Sequence, residues 1–341
     1  MCRLYYCIVI GQLSNYWKGF DVGITVIITT MNLVLFRKEE IIHDTNEHDN
    51  DDNHDLKNRR IILDSKDERY KHIRKHLRKS DGDSVRIGII NDSTGTATLR
   101  QKGSQKEEEG EHEITLEELK LVSLDTNLPK VDLILGMMQP QTLKRLWPIL
   151  ASLGLNHITI SGGDLCDEAY KDSSIITPNI YKPLLLQGLS QSTIPFMPTV
   201  NIQPTINLKE TIMDTTIHHT KSGNYNHDDD PIWIGMDIGM YPSIRTIILQ
   251  NVAKRQSKIV PRVILTIGPE RGYTEQEIDM MRQKGLQLAS MGPWIQRTDV
   301  ACITSIALVM DTLQELQKQC LKQNEDQLES NPNAKKKIKL N

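Results

Sequence analysis

The chain has 341 residues, 38% of them hydrophobic and 25% charged. That length accommodates two domains plus tails, and the balance excludes both a membrane-type composition and a wholly disordered chain. The formal net charge of -3 excludes a global polycation, so any nucleic-acid contact has to come from local basic patches. The five cysteines, Cys2, Cys7, Cys166, Cys302 and Cys320, form no Cys-x-x-Cys pair, which points to a reducing compartment and away from a disulfide framework or a zinc site.

The hydrophobic run Phe20 to Phe36, FDVGITVIITTMNLVLF, is short for a membrane span, carries Asp21 and is rich in β-branched residues. It lacks the clear basic start and small-residue cleavage site of a secretory signal, and no membrane association is expected. MNLVLFRKEE, from Met31, reads instead as a domain start: a strand followed by a charged turn. Residues 1–30 are then an amino-terminal extension, whether dispensable, a targeting peptide or an artefact of the gene model.

From Ile42 to Asp55 the sequence IHDTNEHDNDDNHD is acidic and without apolar period, as in a disordered loop. Its His43, His48 and His54 do not have the spacing of a closed metal site. Residues 67–79 read as a helix, with Ile73 and Leu77 at i,i+4 and a dense basic face. Arg69, Lys71, Arg74, Lys75, Arg78 and Lys79 on that helix are candidate RNA contacts; the alternative is a solvated helix face. Asp81-Gly82-Asp83 is a turn, Ser84 to Ile90 alternates like a strand, Asn91 to Gly95 is a second turn, and Thr96 to Leu99 resumes the strand. Lys102 to Gly110 is a charged insertion, and Glu113 to Val122 holds another strand or a short helix. Residues 31–125 thus read as a small β-rich domain.

After Thr126–Pro129 the rhythm changes. Val131 to Leu135 is an apolar run, and Gln141 to Leu153 carries Leu143, Leu146, Leu150 and Leu153 at helical spacing before Gly154. Ile158 and Ile160 lie in a short strand, Ile180 to Ser190 is helical, and Ile232 to Met236 and Val263 to Ile267 are strands. This β-α-β-α order predicts an α/β fold with a mainly parallel sheet over residues 126–318. The polar tail 319–341 ends in KKKIKLN and reads as disordered.

The informative stretch is Arg262 to Leu313. The strand Val263 to Ile267 runs directly into Gly268-Pro269-Glu270-Arg271-Gly272, a tight loop whose backbone can approach a ligand closely. Thr274 stands three residues before Glu277, a capping-box spacing. A helix to Lys284 stops at Gly285, and a second strand, Leu286 to Met291, ends in a second glycine loop, Gly292 to Arg297. Thr298 or Asp299 then caps a long last helix. Loops at the carboxyl ends of neighbouring parallel strands are where α/β sheets bind ligands. The first loop lacks the Gly-Lys-Ser/Thr of a phosphate loop and is not Gly-x-Gly-x-x-Gly; by itself it is compatible with an ordinary tight turn.

The order of the two loops resembles the RsmE family, whose signature is a strand, GPEGG, a helix, then LGxRILRTETA. The counterparts here are Ile267 to Gly272 and Met291-Gly292-Pro293-Trp294-Ile295-Gln296-Arg297-Thr298-Asp299-Val300-Ala301. Leu185 to Ser192, followed by Ile194-Pro195, is similar to the family's EAxxQS segment, and the basic stretch with Gly82-Asp83 is similar to its amino-terminal HHxxxVLRxxxGD pattern.

The resemblance implies a PUA-like β-barrel followed by a SPOUT methyltransferase domain with a carboxy-terminal trefoil knot. It implies S-adenosyl-L-methionine as cofactor, a homodimer, and methylation of uridine N3 in ribosomal RNA or a small ribosomal subunit. The acidic insertions and the first thirty residues leave cytosol and organelle both open. Its rivals are another SPOUT activity, such as ribose 2′-O-methylation, and a non-catalytic ribosome-assembly factor. Carried over by motif, the cofactor pocket comprises Gly268, Glu270, Gly272, Met291, Gly292, Ile295 and Gln296. Arg297 is the candidate catalytic cation for an anionic uracil; its structural alternative is a pair with Asp299 or with a partner subunit. Arg271, Trp294 and Gln296 depart from the family pattern, and Arg271 is strained if its backbone needs a positive φ.

Overall fold

We describe the chain from a computed structural model, which describes residues 33–43, 59–101, 113–125, 127–212, 230–255 and 259–330. The extension 1–30, the acidic loop from residue 44, the insertion at 102–110 and Lys335 to Lys337 fall outside the described residues, as do His218 and His219.

The first sheet is mixed and has the strand order β1-β4-β5-β6-β3-β2. Its strands are β1 (Val34–Phe36), β2 (Ile42–His43), β3 (Arg59–Asp64), β4 (Ser84–Ile89), β5 (Ser93–Gln101) and β6 (Glu113–Ser123). Only β1 and β4 pair in parallel. Alternate residues such as Val85, Ile87 and Ile89 on β4 and Ala97 and Leu99 on β5 point into one core with Phe36, Ile61 and Leu63, the period-two pattern of a half-buried sheet.

Several details differ from expectation. The turn at Asn91 is tighter than the predicted 91–95, because Asn91 itself takes a φ of 60° and lets β5 begin at Ser93. Residues 113–123 are a strand, bulged against β5 between Thr96 and Thr98. Two residues of the acidic loop, Ile42 and His43, pair with β3. The helix predicted for 67–79 is only one turn, Glu68–Lys71, followed by a π turn, His72–His76. Arg69 is pinned at one end and Ile73 is buried in the core at the other, and Arg78, with φ 53°, ends the segment.

The second sheet is wholly parallel, in the order β12-β10-β11-β7-β8-β9. It comprises β7 (Val131–Gly136), β8 (His157–Ser161), β9 (Thr199–Gln203), β10 (Ile232–Met236), β11 (Val263–Ile267) and β12 (Gln287–Ala289). The helices relevant below are α1 (Pro140–Ser152), α2 (Pro178–Gln191), α3 (Ile244–Lys254), α4 (Glu275–Gln283) and α5 (Thr298–Ser330). On β7, Val131, Leu133 and Leu135 enter a core with α1 and α5, whereas Ile134 enters a second core with Met280 and Met281 of α4. Both faces are covered, and this is why the central strands β7 and β11 are apolar apart from Asp132 and Thr266.

Helix α2 lies directly against α1: a Cβ on Gly188 would come within 1.8 Å of the Pro148 carbonyl oxygen. The first sheet docks on the end of α2 and the chain beyond it. Leu33 N–H donates to the Ser190 carbonyl at 2.8 Å, and Asn91 N–H to the Pro195 carbonyl at 2.8 Å. Asn91 Oδ1 in turn accepts from Met197 N–H at 2.7 Å.

The tail expected to be disordered from Gln319 instead continues α5 to Ser330. The segment QKQCLKQNEDQLES has no Gly or Pro and is mostly Gln, Lys, Glu and Leu, residues that lose little rotamer freedom in a helix. Over residues 321–323 that polarity goes with exposure on a helix rather than with disorder. Along α5, Cys302, Ile306, Val309, Leu313 and Leu316 form the buried stripe, with Met310 packed beside it. Among the described residues no helix is long and apolar enough to cross a membrane, and no group of His, Cys, Asp or Glu could hold a metal ion.

Candidate active site at the ends of three parallel strands

Strands β11, β10 and β12 lie side by side, with Met236 opposite both Ile267 and Ala289. Three loops therefore leave the sheet at one carboxyl edge: Asp237-Ile238, Gly268–Gly272 and Ser290–Gln296. They enclose a cleft of about 190 Å³. The seven residues predicted for the cofactor pocket, Gly268, Glu270, Gly272, Met291, Gly292, Ile295 and Gln296, all line it.

The first loop is a turn closed by Gly272 N–H donating to the Pro269 carbonyl at 2.9 Å. Gly272 takes the positive φ, 75°. Arg271 does not, so the strain foreseen for it is not incurred. Behind the loop, a Cβ on Gly136 would lie 2.6 Å from Pro269 N; the end of β7 and the loop touch backbone to backbone. Glu270 reaches across to helix α1, where its Oε1 accepts from Gln139 N–H at 2.6 Å. Gln139 is the residue before α1 and its own side chain makes no cap, so Glu270 supplies the anionic cap that a helix amino terminus favours.

After the loop, the capping box forms as predicted. Thr274 Oγ1 accepts from Glu277 N–H at 3.2 Å, and Glu277 Oε2 accepts from Thr274 N–H at 2.9 Å. Glu277 also carries a contact that no local pattern shows: its Oε1 accepts from Asp164 N–H, beyond β8, at 3.0 Å. In the second loop Gly292 takes a φ of 97°. Its N–H donates to Ser290 Oγ at 3.2 Å, and that hydroxyl donates to the Gly292 carbonyl at 3.3 Å.

Arg297 is not among the residues lining the cleft, although its neighbours Gln296 and Thr298 are. Its side chain is 68% exposed and its Nη2 lies 3.0 Å from Asp299 Oδ2, the pairing named as its structural alternative.

The six basic residues proposed for RNA are not equivalent. The Arg69 guanidinium sits between Glu40 at 2.6 Å and Asp67 at 2.7 Å, 4.8 Å from the centre of the Phe36 ring. Its hydrogen bonds to the two carboxylates outweigh burial and push its pKa up. The same contacts lower both carboxyls; for Glu40 they overcome a burial effect of opposite sign. Lys71 pairs with Glu68 at 2.6 Å, and Arg74 donates to the Lys79 carbonyl at 2.9 Å. Lys75 and Arg78 are exposed.

Sequence reasoning missed Asp237, Ile238, Tyr273 and Ser290, which also line the cleft. For Asp237 and Ile238 the available signal was a third strand ending in a glycine-containing loop, Met236 to Gly239. The residues present fit an adenosyl cofactor. The glycine loops allow close backbone approach, and two buried polar atoms at the cleft, Gln296 Oε1 and the Tyr273 hydroxyl, have no partner among the described residues.

Residues 126–310 match the family model described as an RNA methyltransferase domain. Ribosomal RNA small subunit methyltransferase E of Treponema pallidum is 24% identical over 294 residues, covering 82% of this chain and 91% of that protein. Ribosomal RNA small subunit methyltransferase E 1 of Borreliella burgdorferi is 23% identical over 249 residues, covering 72% and 91%. Among solved structures, a ribosomal RNA small subunit methyltransferase E from Neisseria gonorrhoeae bound to S-adenosyl methionine aligns with a TM-score of 0.52 at 16% identity, over 74% of this chain and 92% of that one. With more than half of its length matched by the family model, the chain belongs to the RNA methyltransferase domain family.

Proposed function

We propose that the protein is an S-adenosylmethionine-dependent methyltransferase of the RsmE type, acting on N3 of a uridine in small-subunit ribosomal RNA. The observation that carries the proposal is the convergence of two distant glycine loops, 268–272 and 290–296, on one cleft in a chain of this family. In this reading Gly268, Gly272, Met291 and Gly292 hold the cofactor mainly through backbone groups, and Gln296 adds a side-chain acceptor. When bound, S-adenosylmethionine supplies an electrophilic methyl on a sulfonium.

The chain's own contribution is placement and charge. Holding the uracil against the cleft in line for transfer contributes about 7–11 kcal/mol in well-oriented reactions. The base has to be unpaired, because N3 is hidden in a Watson–Crick pair. Loss of the N3 proton leaves an anionic uracil, which a nearby cation stabilises. Arg297, at the rim of the cleft and 68% exposed, is the residue we assign to that role. Lys75 and Arg78 are the exposed cations we assign to RNA phosphates.

Three further features belong to this reading. The first sheet is a PUA-like barrel, and the carboxy-terminal segment forms a trefoil knot, both by the family resemblance. The enzyme is a homodimer: Ile238, Met240, Trp294 and Ile295 are 64%, 104%, 81% and 77% exposed in the loops around the cleft, an apolar concentration of the kind that marks an interface.

The test is nucleoside mass spectrometry of small-subunit ribosomal RNA incubated with the protein and S-adenosylmethionine. N3-methyluridine is expected. A ribose-methylated nucleoside, or no product from a protein that binds RNA, would overturn the assignment.

A further inference from the structure

Tyr273 closes the first glycine loop, immediately before the cap of α4. Its ring lies against the loop backbone, where a Cβ on Gly268 would meet it at 3.1 Å. Tyr273 is among the residues that line the cleft, and its hydroxyl is buried without a hydrogen-bond partner among the described residues. The nearest acidic groups do not satisfy it. Glu277 is engaged by Thr274 N–H and Asp164 N–H, and Asp237 makes no bond to the phenol. Burial first, and then the negative charges of Glu277 and Asp237, hold the phenol pKa well above its usual value, so the group is a neutral O–H donor at neutral pH. A buried donor left without an acceptor carries a desolvation penalty. In a cleft built to admit a polar ligand, that penalty is relieved when the ligand brings the acceptor.

We propose that Tyr273 is a ligand-recognition residue whose hydroxyl donates to a neutral acceptor of the nucleoside part of the ligand, an adenine ring nitrogen or a ribose hydroxyl. The ligand's amino-acid carboxylate is the wrong acceptor on electrostatic grounds. Asp237 and Glu277 both face the phenol, and a third negative charge beside them would be repelled. Tyr273 therefore marks the nucleoside side of the cleft. This rests on the reading of the cleft as an adenosyl-cofactor site.

The experiment compares the full-length protein with Tyr273→Phe, which keeps the ring against Gly268. Each is titrated calorimetrically with S-adenosylhomocysteine and with its decarboxylated analogue, and each is melted without ligand. The phenylalanine variant is expected to bind both compounds roughly tenfold more weakly, the factor that about 1.4 kcal/mol represents. Its unliganded melting temperature is expected to rise, because an orphaned hydroxyl has been removed. Equal affinity of variant and wild type overturns the inference and leaves the methyltransferase reading intact. So does a loss seen with S-adenosylhomocysteine that disappears with the decarboxylated compound, which would assign the carboxylate as acceptor. A wild-type protein that binds neither compound overturns the cofactor reading and this inference with it.

Discussion

Glu270 Oε1 accepts the backbone N–H of Gln139 at 2.6 Å, across 131 residues of chain. One carboxylate thereby caps α1 and braces the loop Gly268–Gly272. A charge-assisted bond of this kind contributes about 1.5–3 kcal/mol. Glu270→Ala is expected to lower the melting temperature by a few degrees and to weaken S-adenosylmethionine binding about tenfold, with Glu270→Gln intermediate. Calorimetry and thermal melts on the same samples check this; unchanged affinity in the alanine variant would mean that the loop does not depend on the brace.

Arg297 is exposed, and among the described residues its side chain is tied only to Asp299, so its removal should cost the fold little. If it stabilises the anionic uracil, Arg297→Ala lowers methyl transfer by roughly 100-fold or more, the scale seen when one charge-stabilising donor is removed from an active site. The melting temperature and cofactor affinity should stay near wild type. Single-turnover methylation assays provide the check, and near-normal turnover would remove Arg297 from the mechanism.

Gly136 ends β7 with its backbone against Pro269. A methyl group there would sit 2.6 Å from Pro269 N, and backbone cannot swing aside as a side chain can. Gly136→Ala is expected to displace the first loop at an overpacking cost of about 1–3 kcal/mol. The readout is a folded protein, by circular dichroism, with strongly reduced affinity for S-adenosylmethionine.

At the opposite edge of the sheet Arg262 Nη1 donates to both oxygens of Asp132, at 2.8 and 2.7 Å. His157 Nδ1 lies 2.9 Å from the same carboxylate, which is 5% exposed. Asp132→Ala leaves Arg262 largely buried without this partner. A destabilisation of about 3–5 kcal/mol is expected, measured by urea unfolding, while cofactor affinity of the remaining folded protein is unchanged.

The basic segment separates by the same logic. Lys75 and Arg78 are exposed, so Lys75→Glu with Arg78→Glu should weaken RNA binding and flatten its salt dependence, by a slope of about 0.7–0.9 per lost phosphate contact. Arg69→Ala should instead lower stability, since that guanidinium joins Glu40 and Asp67 over Phe36. Filter binding across a salt series, paired with thermal melts, distinguishes the two. An RNA affinity unaffected by the double charge reversal would remove this segment from the interface.

Much of the parallel sheet was legible because its cause is local. Ile232 to Met236 and Val263 to Ile267 are strands with the predicted bounds, since a strand covered on both faces is mostly apolar, Thr266 being a buried exception. The capping box at Thr274 and Glu277 and the stop at Gly285 were readable for the same reason: each depends on side chains three or four positions apart, or on one residue's φ. Even where local reading failed, as in the extension of α5 past Gln319, helix propensity held the information and polarity obscured it.

What only the tertiary structure decided is which distant groups meet. The sheet order β12-β10-β11-β7 is set by side-chain packing across layers and is not encoded in any single segment. That order brings Asp237 beside the two glycine loops and sets Glu270 on α1. It also lets Glu277, already used as a cap, bind Asp164. Whether a charge such as Arg69 or Arg297 faces solvent or a carboxylate follows from the same folding. Local pattern specifies the elements; long-range burial, which is non-directional along the chain, selects their neighbours and so builds the site.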